Sequence, residues 1–282
     1  MSTKIYTLIE NERSLKAESS LINEFGFSLY IEDEDFKFIF DTGQTGEFIN
    51  NAKKTGIDLK EVKNIVLSHS HYDHTGGMKT FVEKISPEFT LHINETFFDE
   101  KYKTTGIIRK FLGNNFTKEY MEKKGVNIHY IKEDIFQLSK NIKLHTNFKV
   151  MNNFENLQEC YIRKIYDNYI LDNMEDEIAL TVDTPKGLFV IVGCSHIGIA
   201  NIIENIKRRE TKKIYGIIGG LHLKRADEKR MDDVINYFIE NDIQYFGVCH
   251  CTGEKFIEKI KKLEYFEDKE IKANNTGDTV IL

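Results

Sequence analysis

Short apolar runs, each closed by a polar or glycine-containing turn, alternate with segments of helical periodicity along the 282-residue chain. Residues 27–31 (Phe-Ser-Leu-Tyr-Ile) and 37–40 (Lys-Phe-Ile-Phe) predict two strands joined by the acidic turn Glu32-Asp33-Glu34-Asp35. Asp41-Thr42-Gly43 comes next, then a helical segment whose apolar positions include Phe48, Ile49 and Ala52. A short strand, Ile65-Val66-Leu67, runs directly into His69-Ser70-His71-Tyr72-Asp73-His74.

The second half repeats this order. Residues 178–183 and 188–192 predict a hairpin around Pro185-Lys186-Gly187, followed by Gly193-Cys194-Ser195-His196. A helix with Ile199, Ile202, Ile203 and Ile206 comes next, then the strand 214–218 ending in Gly219-Gly220-Leu221-His222. Hairpin, loop, helix, strand and loop therefore occur twice. This predicts an internal duplication of class α/β, with two sheets packed face to face and helices outside. Residue identities barely match, so the expectation rests on order and spacing. A last unit adds a helix near 231–241, a strand at 245–248, the run Cys249-His250-Cys251-Thr252-Gly253 and a helix over about 254–263. Polar residues recur where apolar strands end, the place open sheets commonly put their sites.

Between about 95 and 175 the periodicity weakens, and the stretch is rich in Phe, Tyr, Asn and Lys. Helices are expected near 104–112 and 117–124. The segment reads as an insertion into one domain spanning 1–282, either packed on its surface or capping the site.

Composition narrows the function classes. Lys and Arg number 39 against 45 Asp and Glu, a formal charge of −6, which is not the basic field of a dedicated nucleic-acid binder. The cluster Lys207-Arg208-Arg209 fits a solvated helix end. No apolar run reaches membrane-spanning length and the start lacks a signal-peptide core, so a cytoplasmic protein without membrane attachment is expected. The four cysteines, at 160, 194, 249 and 251, are not spaced as a disulfide framework, and three lie beside histidine-containing segments.

The histidine run carries the chemistry. His69 and His71 stand two apart at a strand end, so an extended backbone points both rings to one side. Asp73 and His74 lie beyond the strand and can turn toward a second position. Four ligands within six residues crowd a single tetrahedral ion. Split two and two, they suit a pair of ions on the order of 3.5–4 Å apart. A structural zinc site would instead be closed by cysteines at paired spacing. Thr75-Gly76-Gly77 reads as a sharp turn before a helix.

Ser68-His69-Ser70-His71-Tyr72-Asp73-His74-Thr75-Gly76-Gly77 resembles the signature of the metallo-β-lactamase superfamily, and Phe40-Asp41-Thr42-Gly43 resembles its upstream motif. With Gly193-Cys194-Ser195-His196, Gly219-Gly220-Leu221-His222 and His250-Cys251-Thr252-Gly253, the chain is similar to the branch containing archaeal dihydropterin-ribofuranosylaminobenzene-phosphate synthase and bacterial metal-dependent hydrolases. The resemblance covers nearly the whole chain outside the middle insertion. It implies an αββα four-layer sandwich with two divalent ions at one edge of the sheets, zinc first, manganese or iron as alternatives; with the helices expected above, the fold is that sandwich with a helical insertion. By the same resemblance His69 and His71 hold the first ion with His196, and Asp73 and His74 hold the second with His250. Asp41 matches an acid that supports the histidine loop, since a ligating imidazole needs its other nitrogen held.

One departure stands out. Many members carry a histidine in a Pro-Gly-His-Thr segment and a bridging aspartate in a Gly-Asp segment. Here the acids Glu175, Asp176 and Glu177 lie near the first position and Cys194 stands at the second, either as a ligand or as a small apolar residue. His222 can contact substrate, act as an acid or ligate. Lys224 and Arg225 follow it and can receive a substrate phosphate or carboxylate. Strand alternation puts Cys249 and Cys251 opposite His250, which favours the histidine alone as ligand. His92, His129 and His145 lie outside these loops and read as structural or exposed.

The expected activity is hydrolysis of an ester, lactone or phosphoester, in which two ions lower the pKa of water enough to supply hydroxide and Asp73 orients it. The alternative implied by the branch is a transfer joining a pterin-methyl diphosphate to an arylamine. An iron-dependent redox protein and a non-catalytic metal-binding scaffold are further readings. A small-molecule substrate, phosphorylated in some of these readings, is the expected partner; nucleic acid is not. The sequence does not fix the oligomeric state.

Overall fold

The computed structural model describes residues 2–282, which divide into two compact units. The first comprises the chain up to Lys132 with Gln158–Asp176 and Asn275–Leu282; the second comprises Glu133–Leu157 and Glu177–Asn274.

The first unit is built on a seven-stranded sheet. Lys4–Ile9, Ser28–Asp33 and Phe36–Phe40 pair antiparallel, and Asn64–Val66, Thr90–Asn94 and Asn127–Ile131 continue in parallel. Thr279–Ile281 closes the other edge. The helices Glu47–Lys54 and Met78–Lys84 cover one face, bringing Phe48, Ala52, Met78 and Phe81 against Ile39, Ile65, Leu67 and Leu91. The alternate strand residues Phe38, Phe40 and Val66 are buried as well, so both faces of these strands are covered, which is why they read as unbroken apolar runs.

The second unit repeats this topology. Ile142–His145, Ala179–Thr184 and Gly187–Val192 pair antiparallel, then Ile214–Gly220, Tyr245–Cys249 and Glu270–Ala273 continue in parallel. Ile199–Arg209, Glu228–Glu240 and Glu254–Lys261 are its helices, and Ile202, Ile206, Val234 and Phe256 pack with Val190, Ile217 and Val248. The duplication expected from order and spacing is therefore present in strand direction as well as in element order.

The insertion differs from expectation. Residues 104–112 do not form a helix. Glu100–Thr105 and Ile108–Phe111 are two strands of a hairpin, and with Tyr161–Ile165 and Asn168–Leu171 they make a four-stranded antiparallel sheet in the first unit. Gly106 (φ 59°) makes the turn, and Tyr102 pairs across the strands with Phe111 and Ile162, as aromatic and β-branched side chains favour. Only the second expected helix forms, at Lys118–Lys123, capped by the Thr117 hydroxyl on the Tyr120 amide. Nor is the stretch 95–175 one insertion: Asn127–Ile131 belongs to the first seven-stranded sheet and Ile142–His145 to the second, and the remainder holds this small sheet and one short helix. No helix among the described residues is long and apolar enough to cross a membrane.

Candidate metal centre

Each unit brings its polar loops to the carboxyl ends of its parallel strands. In the first unit the histidine run begins just past Asn64–Val66, bends over residues 68–70 and reaches His71 in an extended conformation (φ −81°, ψ 144°), before Tyr72–Thr75 turns into a short helix. The rings of His69 and His71 approach to 4.6 Å between centroids, and those of His69 and His74 to 4.2 Å. All three rings and Asp73 are buried. Burial pulls the His71 imidazole down to about 3, against the opposing pull of Asp73 and Asp176, so it is a neutral donor at neutral pH.

Asp41 organises this loop from the end of Phe36–Phe40. Its Oδ1 accepts the Ser68 amide at 2.7 Å, and its Oδ2 accepts both the Ser68 hydroxyl and His74 Nδ1 at 2.7 Å. Because the Ser68 proton is committed to Asp41, Ser68 Oγ accepts from His69 Nδ1 at 2.8 Å. One carboxylate thus sets the tautomer of His74 directly and of His69 through a hydroxyl, and turns His74 Nε2 to within 3.8 Å of Asp73 Oδ2. Two donors sharing an ion at ~2.1 Å would lie roughly 3.4 Å apart, so this imidazole and carboxylate pair fits a divalent cation.

A second carboxylate acts on the same run. Asp176 Oδ2 accepts the Ser70 amide at 2.9 Å and the Ser70 hydroxyl at 2.7 Å. Behind it Lys101, almost fully buried on the insertion sheet, donates to Asp176 at 3.0 Å and Asp172 at 2.9 Å. Burial alone would lower the Lys101 pKa; the two carboxylates outweigh it and keep the ammonium charged. Gly76 and Gly77 have ordinary helical φ values of −61° and −75°, so they do not supply a sharp turn. Their role is close approach: a Cβ at Gly76 would sit 2.0 Å from the Gln44 carbonyl oxygen and one at Gly77 2.2 Å from that of Thr42.

In the second unit the His196 and His222 rings lie 4.2 Å apart, both in loops that follow parallel strands. Glu177 accepts the amides of His196 at 2.7 Å and Ile197 at 3.0 Å, while the Ser195 hydroxyl donates to the Gly220 carbonyl at 2.8 Å. His250 is buried directly after Tyr245–Cys249. Ser195, His222 and His250 have φ of 58°, 52° and 54°, as Asp41 does at 61°. A left-handed conformation costs a non-glycine residue on the order of 1–2 kcal/mol, and such residues collect where loops are held for a task.

The strained φ of His250 also overturns the alternation expected of its neighbours. The chain leaves the strand at His250, so Cys251 does not continue the face of Cys249. Its Sγ accepts the His222 amide at 3.2 Å and donates to the Cys194 carbonyl at 3.4 Å. Donor atoms of Cys194, His222 and Cys251 all lie within 4.8 Å of one another, a candidate ligand set in its own right. Burial pushes the Cys251 thiol up, but contacts with Cys194, His222 and His250 outweigh it and leave it well below the ordinary thiol value. Lys224 and Arg225 are exposed and make no ion pair among the described residues.

Glu175, Asp176 and Glu177, which replace the expected histidine segment, are accounted for as supports. Asp176 and Glu177 hold the two loops described above, and Glu175 pairs with Arg163 at 2.9 Å. The sequence signals for these supports were faint. Serines at alternate positions of the histidine run were the only hint, and nothing marked Lys101. His92 and His145 are structural, as expected: His92 bonds Asn64 at 2.8 Å and His129 at 3.1 Å, and His145 bonds Thr181 at 2.9 Å.

The chain belongs to the metallo-β-lactamase superfamily, whose family model matches residues 22–103. It is 32% identical to 7,8-dihydropterin-6-methyl-4-(β-D-ribofuranosyl)-aminobenzene-5′-phosphate synthase of Methanocaldococcus jannaschii, over 92% of each chain. An uncharacterised protein of the same archaeon is 29% identical over 86% of this chain and 90% of its own length. Among solved structures, Tm1679, a metal-dependent hydrolase of the β-lactamase superfamily, superposes with a TM-score of 0.83 at 26% identity, covering 99% of this chain and 98% of that one. The fold class is thus that of the superfamily, and its relatives point to an enzyme of hydrolase or synthase type with candidate groups for divalent metal.

Proposed function

We propose that this protein is a dinuclear metal-dependent hydrolase acting on an ester, lactone or phosphoester. The observation that carries the reading is the Asp41 carboxylate, which fixes His74 directly and His69 through Ser68 and so presets two neighbouring imidazoles as ligands. The ligand set is His69, His71 and His196 for one ion and Asp73, His74 and His250 for the other, with Cys194 at the position of the usual bridging aspartate. When bound, two such ions supply a nucleophilic hydroxide at neutral pH and positive charge for a developing oxyanion; zinc suits these ligands, as do manganese and iron. Asp73 orients the attacking water, and His222, beside His196, is poised to donate a proton to the leaving group. Lys224 and Arg225 are exposed cations available to an anionic substrate.

A second reading is a transfer in which the ions hold a diphosphate leaving group while an arylamine attacks. The synthase named among the relatives favours it. Metal analysis together with chromogenic phosphomonoester, phosphodiester and lactone substrates tests hydrolysis. Two ions per chain and at least a hundredfold loss in Asp73→Ala are expected; full activity in that variant would defeat the assignment. Incubation with a pterin-methyl diphosphate and an arylamine, with product detected by mass spectrometry, decides between transfer and hydrolysis.

A further inference from the structure

The insertion sheet turns one face toward the histidine run, and that face is unevenly matched in charge. Across its strands Tyr161 pairs with Lys103, and Lys103 pairs with Lys110, forming one row. The Tyr161 ring lies 5.7 Å from the His71 ring. Lys103 Nζ sits 5.1 Å over the Tyr161 ring, and Lys110 Nζ sits 5.9 Å over the ring of Tyr72, the residue after His71. The other cations on this face have carboxylate partners: Lys101 has Asp172 and Asp176, and Arg163 has Asp99 and Glu175. Lys103 and Lys110 have none among the described residues. Like charges directly opposite on neighbouring strands repel, so this pair costs the sheet stability unless an anion lies between them.

We infer that Tyr161, Lys103, Lys110 and Tyr72 form a substrate subsite for the phosphate of a phosphorylated molecule carrying a flat ring. Two ammonium groups match the double charge of a phosphomonoester or a terminal diphosphate better than the single charge of a carboxylate. Tyr72, half-buried, provides aromatic surface for the ring beside the phosphate, while Tyr161, buried beneath Lys103, forms the floor of the subsite. The subsite adjoins His71, so a molecule held there reaches the proposed metal centre. This inference rests on the proposed function and narrows its substrate class to aryl or heteroaryl phosphates and diphosphates.

The probe is phenyl phosphate, titrated calorimetrically into the metal-loaded protein, with benzoate and inorganic phosphate as parallel arms. Lys103→Met/Lys110→Met should weaken phenyl phosphate binding at least tenfold and flatten its salt dependence, with metal content unchanged. The ligand-free variant should melt no lower than the wild type, because a repulsive pair has been removed. Lys103→Arg should retain most of the affinity. Unchanged phenyl phosphate affinity in the double variant would overturn the subsite, and so would benzoate binding as tightly as phenyl phosphate. Inorganic phosphate matching phenyl phosphate would remove the ring from the proposal. Asp73→Ala separates the two claims: activity surviving in that variant while the lysine variant loses affinity would sink the metal-centred reaction and leave the subsite standing.

Discussion

Asp176 grips Ser70 at two points, taking its amide at 2.9 Å and its hydroxyl at 2.7 Å on a single carboxylate oxygen. Asp41 grips Ser68 with both oxygens, Oδ1 on the amide and Oδ2 on the hydroxyl, so the two serines flanking His69 are each pinned through main chain and side chain. The main chain around His69 is thereby fixed before any ion arrives, which lowers the ordering cost of binding one.

Removing either grip should loosen the metal ligands without touching them. Asp41→Asn keeps the shape but supplies one acceptor oxygen for the three bonds that the carboxylate now takes. A 10–100-fold loss of metal affinity or activity is expected, as for other outer-shell partners of ligating histidines. Ser70→Ala should fall lower in that range, because the Asp176 bond to the amide survives. Competition with a chromophoric chelator measures both. Wild-type affinity in Asp41→Asn would show that the carboxylate does not preset the rings.

Lys101 offers a stability test. Lys101→Met leaves Asp172 and Asp176 buried without their cation, a loss of about 3–5 kcal/mol. Adding Asp172→Asn removes one of the stranded charges and should recover part of that loss. Urea denaturation of the single and double variants gives the coupling. Additive effects would mean that the ion pairs are not linked.

The thiols of the second unit make a spectroscopic prediction. With Cys194, His222 and Cys251 donor atoms inside 4.8 Å, cadmium-substituted protein should show a sulfur-to-cadmium charge-transfer band in the ultraviolet. Cys194→Ser should abolish most of it and Cys251→Ser should reduce it. A band unaffected by Cys194→Ser would exclude that sulfur as a ligand.

His145 makes a prediction about pH. Burial, reinforced by Arg209 and Lys143, pulls its pKa to about 3. The unfolded chain titrates near 6.5, so it takes up the proton that the folded chain refuses. Stability from this group is intact above pH ~6.5 and falls by up to about 1.4 kcal/mol per pH unit as pH drops toward 3. Urea titrations of chelator-treated protein should show a shallower acid slope in His145→Gln; identical slopes would rule out His145 as a contributor.

Period and order alone determined the mixed α/β class, the duplicated arrangement of strands and helices, and the histidine run at a strand end. Those features depend on local physics: apolar runs ended by turn residues, and a cluster of ligand side chains just past a strand end. Residues 104–112 depart from the expected helix because Thr104, Thr105, Ile107, Ile108 and Phe111 favour strand and Gly106 favours a turn. Pairing with the distant Tyr161–Ile165 decided the matter. Cys251 was misplaced for a related reason, since strand alternation stops at a left-handed His250 that nothing in the local sequence announces. Tertiary structure alone could decide that Asp176 serves Ser70, that Lys101 lies buried behind it, and that Tyr161 stands beside His71. A carboxylate or lysine reads the same in sequence whether it faces water or a partner a hundred residues away, and only the fold determines which surrounds it.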